Sequence, residues 1–338
     1  MPKATTLFFT ATKQVELHEV ELPHLKEDEV LVETICSAIS AGTEMLVYRG
    51  QFPHLADAHD NVSNDLNYPL AYGYACVGVV KEIGTQVNSE WVNRLVFSFQ
   101  PHTSHFVSKT EFLITIPDSI KPETACFLPN METAVNLVQD GAPILGERVL
   151  VLGQGVIGLL TASLLSEFPL ESLVTVDHFE LRRKALNVEG QKSKVKSLSS
   201  SDLRPFDKTQ GMPSTFDLVF ELSGSPSALN DAIALTTFSG RIVIGSWYGQ
   251  KRAEIDLGGA FHRSRIKLIS SQVSTISPEL SGRWDKSRRF DTAWKALERI
   301  KPEKWITHRF SLSDADKAYQ LLDKNPQETI QVLFDYNT

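Results

Sequence analysis

The most constraining feature of this sequence is residues 148–160, where an apolar run leads directly into three closely spaced glycines. Residues 149–152 are typical of a buried strand, and residues 159–165 have the apolar pattern of a helix. Between them, Gly153 permits a sharp exit from the strand, Gly155 leaves room for a ligand beside the backbone, and Gly158 lets the helix lie close to the sheet. The helix N-terminus offers unpaired N–H groups to an anion. The stretch therefore predicts a strand–turn–helix unit that binds the pyrophosphate of a dinucleotide.

An acidic residue at the end of the next predicted strand narrows this prediction. The β-branched run 172–176 ends at Asp177, 24 residues after Gly153. That spacing is close to the spacing of a carboxylate that hydrogen-bonds the adenosine ribose and repels a 2′-phosphate. We therefore expect NAD(H) to be preferred over NADP(H). The alternative is a glycine-rich turn in some other α/β protein.

Composition limits the class of protein. The 338 residues are enough for two domains, and the formal net charge of −7 argues against nucleic-acid binding. No apolar run is long enough to span a bilayer and no secretory signal is visible, so we expect a cytoplasmic protein without a membrane partner. Cys36, Cys76 and Cys126 form no CxxC pair, which suits a reducing compartment and predicts neither disulfides nor a cysteine-rich zinc site.

Two patterns divide the chain. Residues 1–125 are typical of β-structure, with a hairpin over 6–20, a short helix within 38–50 and a polar loop over 52–67. From about residue 126, strands and helices alternate, which predicts an α/β fold with a doubly wound parallel sheet. The alternation stops after residue 271. We therefore expect a first domain over 1–125, a dinucleotide-binding domain over 126–272, and a segment over 273–338 that returns to the first domain.

Six motifs in this arrangement resemble the medium-chain dehydrogenase/reductase superfamily. They are Ile-Ser-Ala-Gly-Thr-Glu (39–44), Gly-Tyr-Ala-Cys-Val-Gly (73–78), Gly-Gln-Gly-Val-Ile-Gly (153–158), Phe-Asp-Leu-Val-Phe-Glu-Leu-Ser-Gly (216–224), Ser-Gly-Arg-Ile-Val-Ile-Gly (239–245) and Ile-Thr-His-Arg-Phe (306–310). The resemblance covers nearly the whole chain. It implies a Rossmann domain beside a β-rich, GroES-like catalytic domain, and a homodimer that continues the parallel sheet across an edge strand.

The resemblance also implies which residues contact the cofactor. Most lie in the glycine turn or at the carboxyl ends of the parallel strands, where ligands of such sheets bind. The set is Gly153, Gly155, Val156, Ile157, Gly158, Asp177, Arg182, Ser223, Gly224, Gly245 and Ser271. Arg182 is expected near the adenosine ribose, and the last four are expected near the nicotinamide side.

The sequence departs from the superfamily's zinc enzymes at each metal ligand. Ser40 and Ala41 stand where a cysteine is expected shortly before the Gly-Thr-Asp element, and Tyr74 stands where the ligand histidine is expected. Residues 128–131, Leu-Pro-Asn-Met, supply no third ligand, and residues 97–109 contain no cysteine for a structural zinc lobe. Because zinc needs three or four convergent N, S or carboxylate ligands, we expect no metal site.

Without zinc, hydroxyl groups must stabilise the oxygen that reacts during hydride transfer. Thr43 occupies the position of the superfamily's proton-relaying hydroxyl, Tyr74 the position of the ligand histidine, and Ser40 is a second hydroxyl in the same turn. We expect these three as catalytic residues. Tyr74 can equally be a core aromatic that fills the space of an absent metal, and Thr43 can equally cap the following helix.

Other polar residues have simpler expected roles. Glu44 is expected to pair with an arginine, and His102 and His105 are expected at the surface of a loop. The basic stretches 261–265 and 282–290 include Arg263 and Arg283, which suit an anionic small-molecule substrate. A solvated surface with local salt bridges is the simpler interpretation of both stretches.

Among zinc-free relatives, the sequence is similar to the bacteriochlorophyllide dehydrogenase type. There too a tyrosine replaces the ligand histidine and Gly-Thr-Glu follows an Ile-Ser element, although Ala75 departs from the glutamate expected after Tyr74. This resemblance implies a reaction type, the NAD(H)-dependent interconversion of a secondary alcohol and a ketone on a biosynthetic intermediate. The alternatives are an NAD(P)H-dependent quinone or enone reductase and a catalytically silent nucleotide-binding protein.

Overall fold

A computed structural model describes residues 3–52, 67–186, 195–200 and 215–336 of the chain. The chain forms two compact units, one of Met1–Pro129 with Lys301–Thr338 and the other of Asn130–Ile300. The unit boundaries follow residues 129 and 300, where we expected 125 and 272. Residues 273–300 thus belong to the second unit and not, as expected, to the segment that returns to the first. Nearly all of the predicted loop 52–67 lies outside the described residues.

The chain before residue 130 contributes short helices and most of the antiparallel strands of the first unit. The strands are β1 (Lys3–Ala11), β2 (Gln14–Glu21), β3 (Glu29–Ile39), β4 (Leu70–Ala71), β5 (Cys76–Ile83), β6 (Leu95–Ser98), β7 (His105–Lys109) and β8 (Ile114–Thr115). The helices are α1 (Thr43–Tyr48) and α2 (Pro122–Ala125). The predicted first hairpin is confirmed as β1 and β2, which pair antiparallel.

The middle of the chain alternates between strands and helices. Its strands are β9 (Arg148–Leu152), β10 (Ser172–Val176), β11 (Val195–Leu198), β12 (Phe216–Glu221), β13 (Thr236–Ile244) and β14 (Lys267–Ser270). Its helices are α3 (Leu128–Gly141), α4 (Val156–Leu165), α5 (Glu180–Ala185), α6 (Ala228–Leu235) and α7 (Lys286–Ile300), with a five-residue π-helical turn at Leu257–Phe261.

The six described strands of the second unit form one parallel sheet in the order β11-β10-β9-β12-β13-β14. Numbered along the chain from β9, this order is 3-2-1-4-5-6, the order of a Rossmann dinucleotide-binding fold. The predicted α/β fold with a doubly wound parallel sheet is therefore confirmed. The central strands are buried on both sides, because one hydrophobic cluster packs around Leu150 and Val219 and another around Val149 and Phe220.

The last segment of the chain adds β15 (Ile306–Ser311), α8 (Ala315–Lys324) and β16 (Gln331–Asp335) to the first unit. β16 pairs antiparallel with β3 and parallel with β15, which gives the order β15-β16-β3-β5-β6-β8, with β7 also on β3. A separate described sheet has the order β2-β1-β4. The first unit is thus built around β3, which supports the turn that leads to α1.

The core of the first unit encloses both α1 and α8. Met45 and Tyr48 from α1, Tyr319 from α8 and Phe334 from β16 belong to one buried cluster. Tyr48 and Tyr319 stack with ring centroids 5.3 Å apart. This packing fixes α1 and, with it, the polar turn at residues 40–44.

Candidate functional site

The glycine turn of the second unit has the geometry that the sequence predicts. Gly153 ends the first strand with φ +93°, which an L side chain rarely adopts, and a Cβ there would lie 2.5 Å from the carbonyl oxygen of Leu222. A Cβ on Gly158 would lie 1.9 Å from the carbonyl oxygen of Gly153. Both positions therefore require glycine, because the helix that starts at Val156 lies directly against the turn.

Gly155 differs from Gly153 and Gly158, because nothing lies within 4 Å of a Cβ built on it. It is the N-cap residue of α4 and makes no side-chain cap, while Val156 and Ile157 begin the helix and are half-buried. Beside it, Gln154 is fully buried, and its Oε1 has no hydrogen-bond partner in the described part of the chain. An open cradle at a helix N-terminus fits the pyrophosphate of a dinucleotide.

Asp177 follows β10 and is 7% exposed. Its Oδ2 accepts a hydrogen bond of 2.7 Å from the backbone N–H of Gln154, and its Oδ1 accepts one of 2.8 Å from Phe179. The acid is thereby fixed beside the glycine turn, with further lone pairs on both oxygens. Arg182 lies with its guanidinium 4.9 Å from the Phe179 ring centroid, and burial lowers its pKa although the nearby Asp177 raises it.

Ser223 and Gly224 follow β12 and adjoin two residues that the sequence analysis missed. Glu221 is fully buried and accepts hydrogen bonds from the backbone N–H and the hydroxyl of Ser223 and, at 2.5 Å, from the Tyr248 hydroxyl. Burial first, and then the charge of Glu221, raise the pKa of Tyr248. Gly224 has φ +73° and donates its N–H to Ser246. The acid within the 216–224 motif is the signal that could have indicated this cluster.

Gly245 and Ser271 follow β13 and β14. A Cβ on Gly245 would lie 2.5 Å from Leu137 and 2.6 Å from Leu222, so the strand end is tightly packed. Ser271 donates a hydrogen bond of 2.6 Å to Asp140 and accepts one of 2.9 Å from the Asn136 amide. The predicted cofactor residues thus lie in the glycine turn and the start of α4, at the strand ends of one sheet and, for Arg182, in α5.

The basic region at 282–290 is not wholly a solvated surface, and that expectation is wrong for Arg289. Its side chain is fully buried, with Nη2 2.8 Å from Glu132 and Nη1 2.6 Å from the side-chain oxygen Oδ1 of Asn136. The helical spacing of Arg289 with Ala293, Leu297 and Ile300 is the signal that could have placed it on the apolar face of α7. Arg263 and Arg283 are exposed, as expected of a solvated surface.

In the first unit, the three predicted catalytic hydroxyls lie together. The Tyr74 hydroxyl donates a hydrogen bond of 2.6 Å to Ser40 Oγ, which also accepts one of 3.2 Å from the Thr43 backbone N–H. All three residues are half-buried. Burial raises the pKa of Tyr74, while hydrogen bonds with the Ser40 and Thr43 side chains lower it in part. Because Ser40 Oγ already accepts two hydrogen bonds, its own hydrogen is left to donate to another group.

Local sequence explains this turn. Glu44 Oε1 accepts a hydrogen bond of 2.9 Å from the Ser40 backbone N–H, while Ser40 Oγ accepts the N–H of Thr43. This reciprocal arrangement resembles a capping box and satisfies N–H groups at the start of α1. The expectation that Glu44 pairs with an arginine is wrong, since its other partners are His102 Nε2 at 2.9 Å and the Tyr319 hydroxyl at 2.6 Å.

The expectation that His102 lies at the surface is also wrong, because the residue is only 1% exposed. Its Nδ1 lies 2.7 Å from Ser37 Oγ, which lies 2.9 Å from the Tyr336 hydroxyl. His105, in β7, is only partly exposed and lies 3.9 Å from Glu33. The polar run 101–105 has no apolar period, so the burial of His102 is decided by its distant partners on β3 and α1.

The donors at the expected zinc positions do not fit a zinc ion. Ser40, Ala41 and Tyr74 offer hydroxyls and a methyl group, and Leu128 is a fully buried aliphatic residue. Within the described ranges, no three His, Cys, Asp or Glu side chains are gathered so that they could hold a metal ion. Burial raises the pKa of Cys76 to about 12, which disfavours a thiolate ligand. Zinc independence stays a prediction.

The three cysteines are free thiols buried in the first unit, and Sγ of Cys36 lies 3.5 Å from Sγ of Cys126. None of the helices in the described chain is both long and apolar enough to cross a membrane.

No family model matches the chain. Two curated relatives align over nearly its full length. The chain is 22% identical to the starvation-sensing protein RspB of Escherichia coli K12, across 96% of this chain and 97% of the relative. It is 25% identical to the L-threonine 3-dehydrogenase of Xanthomonas campestris pv. campestris, across 93% of this chain and 94% of the relative.

Solved structures share the fold at low sequence identity. A protein named as the short chain alcohol dehydrogenase rspB of E. coli CFT073, in complex with NADH, superposes with a TM-score of 0.77 and 19% identity over 99% of each chain. A protein of Sinorhizobium meliloti 1021 solved with NADP superposes with a TM-score of 0.75 and 17% identity over 99% of this chain and all of the other. The chain therefore shares the fold of these solved proteins, and its sequence is similar to that of a curated dehydrogenase over nearly its full length.

Proposed function

We propose that this chain is a zinc-independent oxidoreductase that transfers a hydride between NAD(H) and a secondary alcohol/ketone pair. The similarity to dehydrogenases along nearly the full chain supports a dehydrogenase of the medium-chain type. The observation that carries the finer proposal is the contact between the Tyr74 and Ser40 hydroxyls, 2.6 Å apart, beside Thr43. Hydroxyl groups thus lie together in the two motifs, 39–44 and 73–78, where the zinc enzymes of the superfamily carry metal ligands. As in the bacteriochlorophyllide dehydrogenase type, they would bind the oxygen of a biosynthetic intermediate.

The second unit would hold the dinucleotide through the glycine turn and Asp177. The open space at Gly155 accepts the pyrophosphate, and the remaining lone pairs of Asp177 accept hydrogen bonds from the ribose diol. A 2′-phosphate would meet the charge of Asp177, which supports a preference for NADH over NADPH. When bound, the nicotinamide supplies the hydride or accepts it.

The hydroxyl groups of the first unit would handle the proton. Thr43 contributes a hydrogen bond to Tyr74, Tyr74 donates to Ser40, and the hydrogen of Ser40 is left to donate to the reacting oxygen. During ketone reduction, Ser40 gives its proton to the developing alkoxide and takes one from Tyr74. Tyr74 takes the proton of the Thr43 hydroxyl, and Thr43 regains a proton from water, so the ketone gains one hydride and one proton in all. Removing one such donor from a site of this kind typically lowers kcat by about 10²–10³-fold.

A combined screen tests the proposal. The purified protein is assayed with NADH and with NADPH against ketones, enones and quinones, and metal content is measured in the same sample. We expect ketone reduction at full rate in chelated protein, with NADH preferred, and a loss in both Tyr74→Phe and Thr43→Ala. Full turnover in both variants would exclude this site. Turnover of quinones alone would favour a quinone reductase, and NADH binding without any turnover would favour a silent nucleotide-binding protein.

We also propose a homodimer that joins two copies of the second unit at an edge strand. β14 pairs with β13 alone among the described strands and therefore lies at an edge of the described sheet, where the proposal places the second copy. Light scattering after size-exclusion chromatography measures the mass directly, and a mass near 37.7 kDa would contradict a dimer.

A further inference from the structure

Glu44 and His102 form a buried polar pair in the first unit, and neither residue belongs to the proposed catalytic set. Their side chains are 0% and 1% exposed, and Nε2 of His102 lies 2.9 Å from Oε2 of Glu44. Placing a carboxylate in a protein interior is costly unless hydrogen bonds compensate for lost water. Glu44 meets this requirement with three partners, which are His102, the Tyr319 hydroxyl and the Ser40 N–H.

The pair contacts both chain segments that carry the catalytic hydroxyls. Glu44 holds the backbone of Ser40 at 2.9 Å. The His102 ring lies against Gly73, the residue before Tyr74, because a Cβ built on Gly73 would be 3.0 Å from ring atom Cδ2 and 3.1 Å from Nε2. Gly73 also has φ +131°, so the backbone takes this course only with glycine. The Glu44–His102 pair therefore lies between the two segments and orients them.

The orientation of the His102 ring is itself fixed. Nδ1 contacts Ser37 Oγ at 2.7 Å, on the opposite side from Glu44, and Ser37 Oγ contacts the Tyr336 hydroxyl at 2.9 Å. The ring also packs edge-on against Phe334 with centroids 5.0 Å apart. Because both ring nitrogens make hydrogen bonds, the ring cannot rotate without losing hydrogen bonds inside the core.

We propose that Glu44 and His102 are positioning residues that hold Ser40 and Tyr74 at hydrogen-bonding distance for the reaction proposed above, on which this inference rests. The buried carboxylate has a second effect, because its negative charge adds to burial in raising the pKa of Tyr74. Tyr74 is thereby kept in its hydroxyl form, which is the form that donates to Ser40.

A double-mutant cycle between Glu44 and Tyr74 tests this role. Glu44→Gln keeps the shape of the side chain but exchanges an acceptor oxygen for an NH₂ group. With the best ketone of the NADH-linked screen, we expect kcat to fall at least tenfold while KM changes less than threefold. In the Tyr74→Phe background, the same change should lower kcat less than twofold, because the Tyr74–Ser40 hydrogen bond that Glu44 is proposed to position is already gone. A full tenfold loss in that background would overturn the inference.

Asp323→Asn is the matched control. Asp323 is a carboxylate of the same unit, with a side chain 11% exposed, and it pairs with Lys13 and Arg49 rather than with the Ser40 turn. This change is expected to lower stability and to leave kcat within twofold. NADH binding, followed by fluorescence, should be unchanged in every variant that folds. A kcat loss in Asp323→Asn equal to that in Glu44→Gln would indicate general destabilisation and refute positioning.

His102→Gln provides an independent variant if Glu44→Gln does not fold. Its amide can still donate to Glu44 while the ring beside Gly73 is removed, so the same cycle with Tyr74→Phe applies. If the screen yields no substrate, the proposed function fails, but the positioning can still be measured. Crystal structures of the variants should then show the Tyr74–Ser40 contact lengthened beyond hydrogen-bonding distance. A contact that stays near 2.6 Å would refute the inference.

Discussion

Two neighbouring glycines of the cofactor turn should respond in opposite ways to the same added methyl group. At Gly158, a Cβ would lie 1.9 Å from the carbonyl oxygen of Gly153, whereas non-bonded heavy atoms prefer about 3.5–4.0 Å. The helix must retreat by roughly 1.5 Å, and overpacking of this kind costs about 1–3 kcal/mol. For a unit of this size, Gly158→Ala should lower Tm by roughly 2–12 °C.

At Gly155, the methyl group meets no atom of the protein within 4 Å, and φ of −65° suits alanine. Gly155→Ala should therefore keep stability or raise it by about 0.4–1 kcal/mol, because alanine restricts the unfolded chain. The added methyl group occupies the space that we assign to the pyrophosphate. We expect Kd for NADH to rise at least about tenfold, which corresponds to about 1.4 kcal/mol.

Thermal denaturation and fluorescence titration with NADH measure the two effects separately. Gly282→Ala is the control, because a Cβ at Gly282 also meets nothing within 4 Å and the residue lies outside the fingerprint. If Gly155→Ala bound NADH as tightly as Gly282→Ala, the assignment of the cradle would be wrong. An unchanged Tm in Gly158→Ala would refute the steric reasoning.

Three further changes test other parts of the second unit. Arg289→Met leaves the buried Glu132 with one cation fewer, so calorimetry should show that the free energy of unfolding falls by about 3–5 kcal/mol. A fall no larger than that of Arg288→Met, at an exposed position, would contradict the buried network. Asp177→Ser should raise the ratio of kcat/KM for NADPH to that for NADH by about tenfold, and an unchanged ratio would remove Asp177 as the discriminating group. Burial raises the pKa of Asp140 in the folded protein. The contribution of this group to the free energy of unfolding is therefore complete below its unfolded pKa of about 3.9 and is lost as the pH rises through its folded pKa. Asp140→Asn can keep both hydrogen bonds that Oδ2 accepts. The Tm of this variant should therefore increase relative to the Tm of the wild type as the pH rises from 4 to 7. A difference in Tm that does not change with pH would refute this reasoning.

The local pattern of the sequence was enough to predict the parallel sheet of the second unit, but it did not predict that residues 273–300 belong to that unit. Strand–helix alternation gave the parallel sheet, and the glycine spacing indicated the turn at Gly153 and Gly158, because these depend on residues close in the chain. The grouping of Ser40, Thr43 and Tyr74 was also expected, although only from the resemblance to a superfamily.

Burial of polar residues could not be predicted in the same way. His102 stands in a run without period, and its environment comes from Ser37 and Glu44, about 60 residues earlier. Arg289 lies in a stretch rich in charge, yet Glu132 and Asn136 accept its guanidinium inside the unit. In each case, the partner that offsets the cost of burial is distant in sequence, so composition indicates a surface residue.

The pairing of β16 with β3 has a consequence for how the chain acquires its structure during synthesis. Val332 pairs with Ile39, so the central strand of the first unit waits for a neighbour made almost 300 residues later. Until then, the part of one β3 edge over residues 36–39 is open to other strands, because β7 pairs only with residues 29–33, and an open edge favours chaperone binding or aggregation. The Asn130–Ile300 unit contains all six strands of its own sheet and can fold on the ribosome first. A nascent chain arrested before β15 should therefore bind NADH while its first unit is still sensitive to protease.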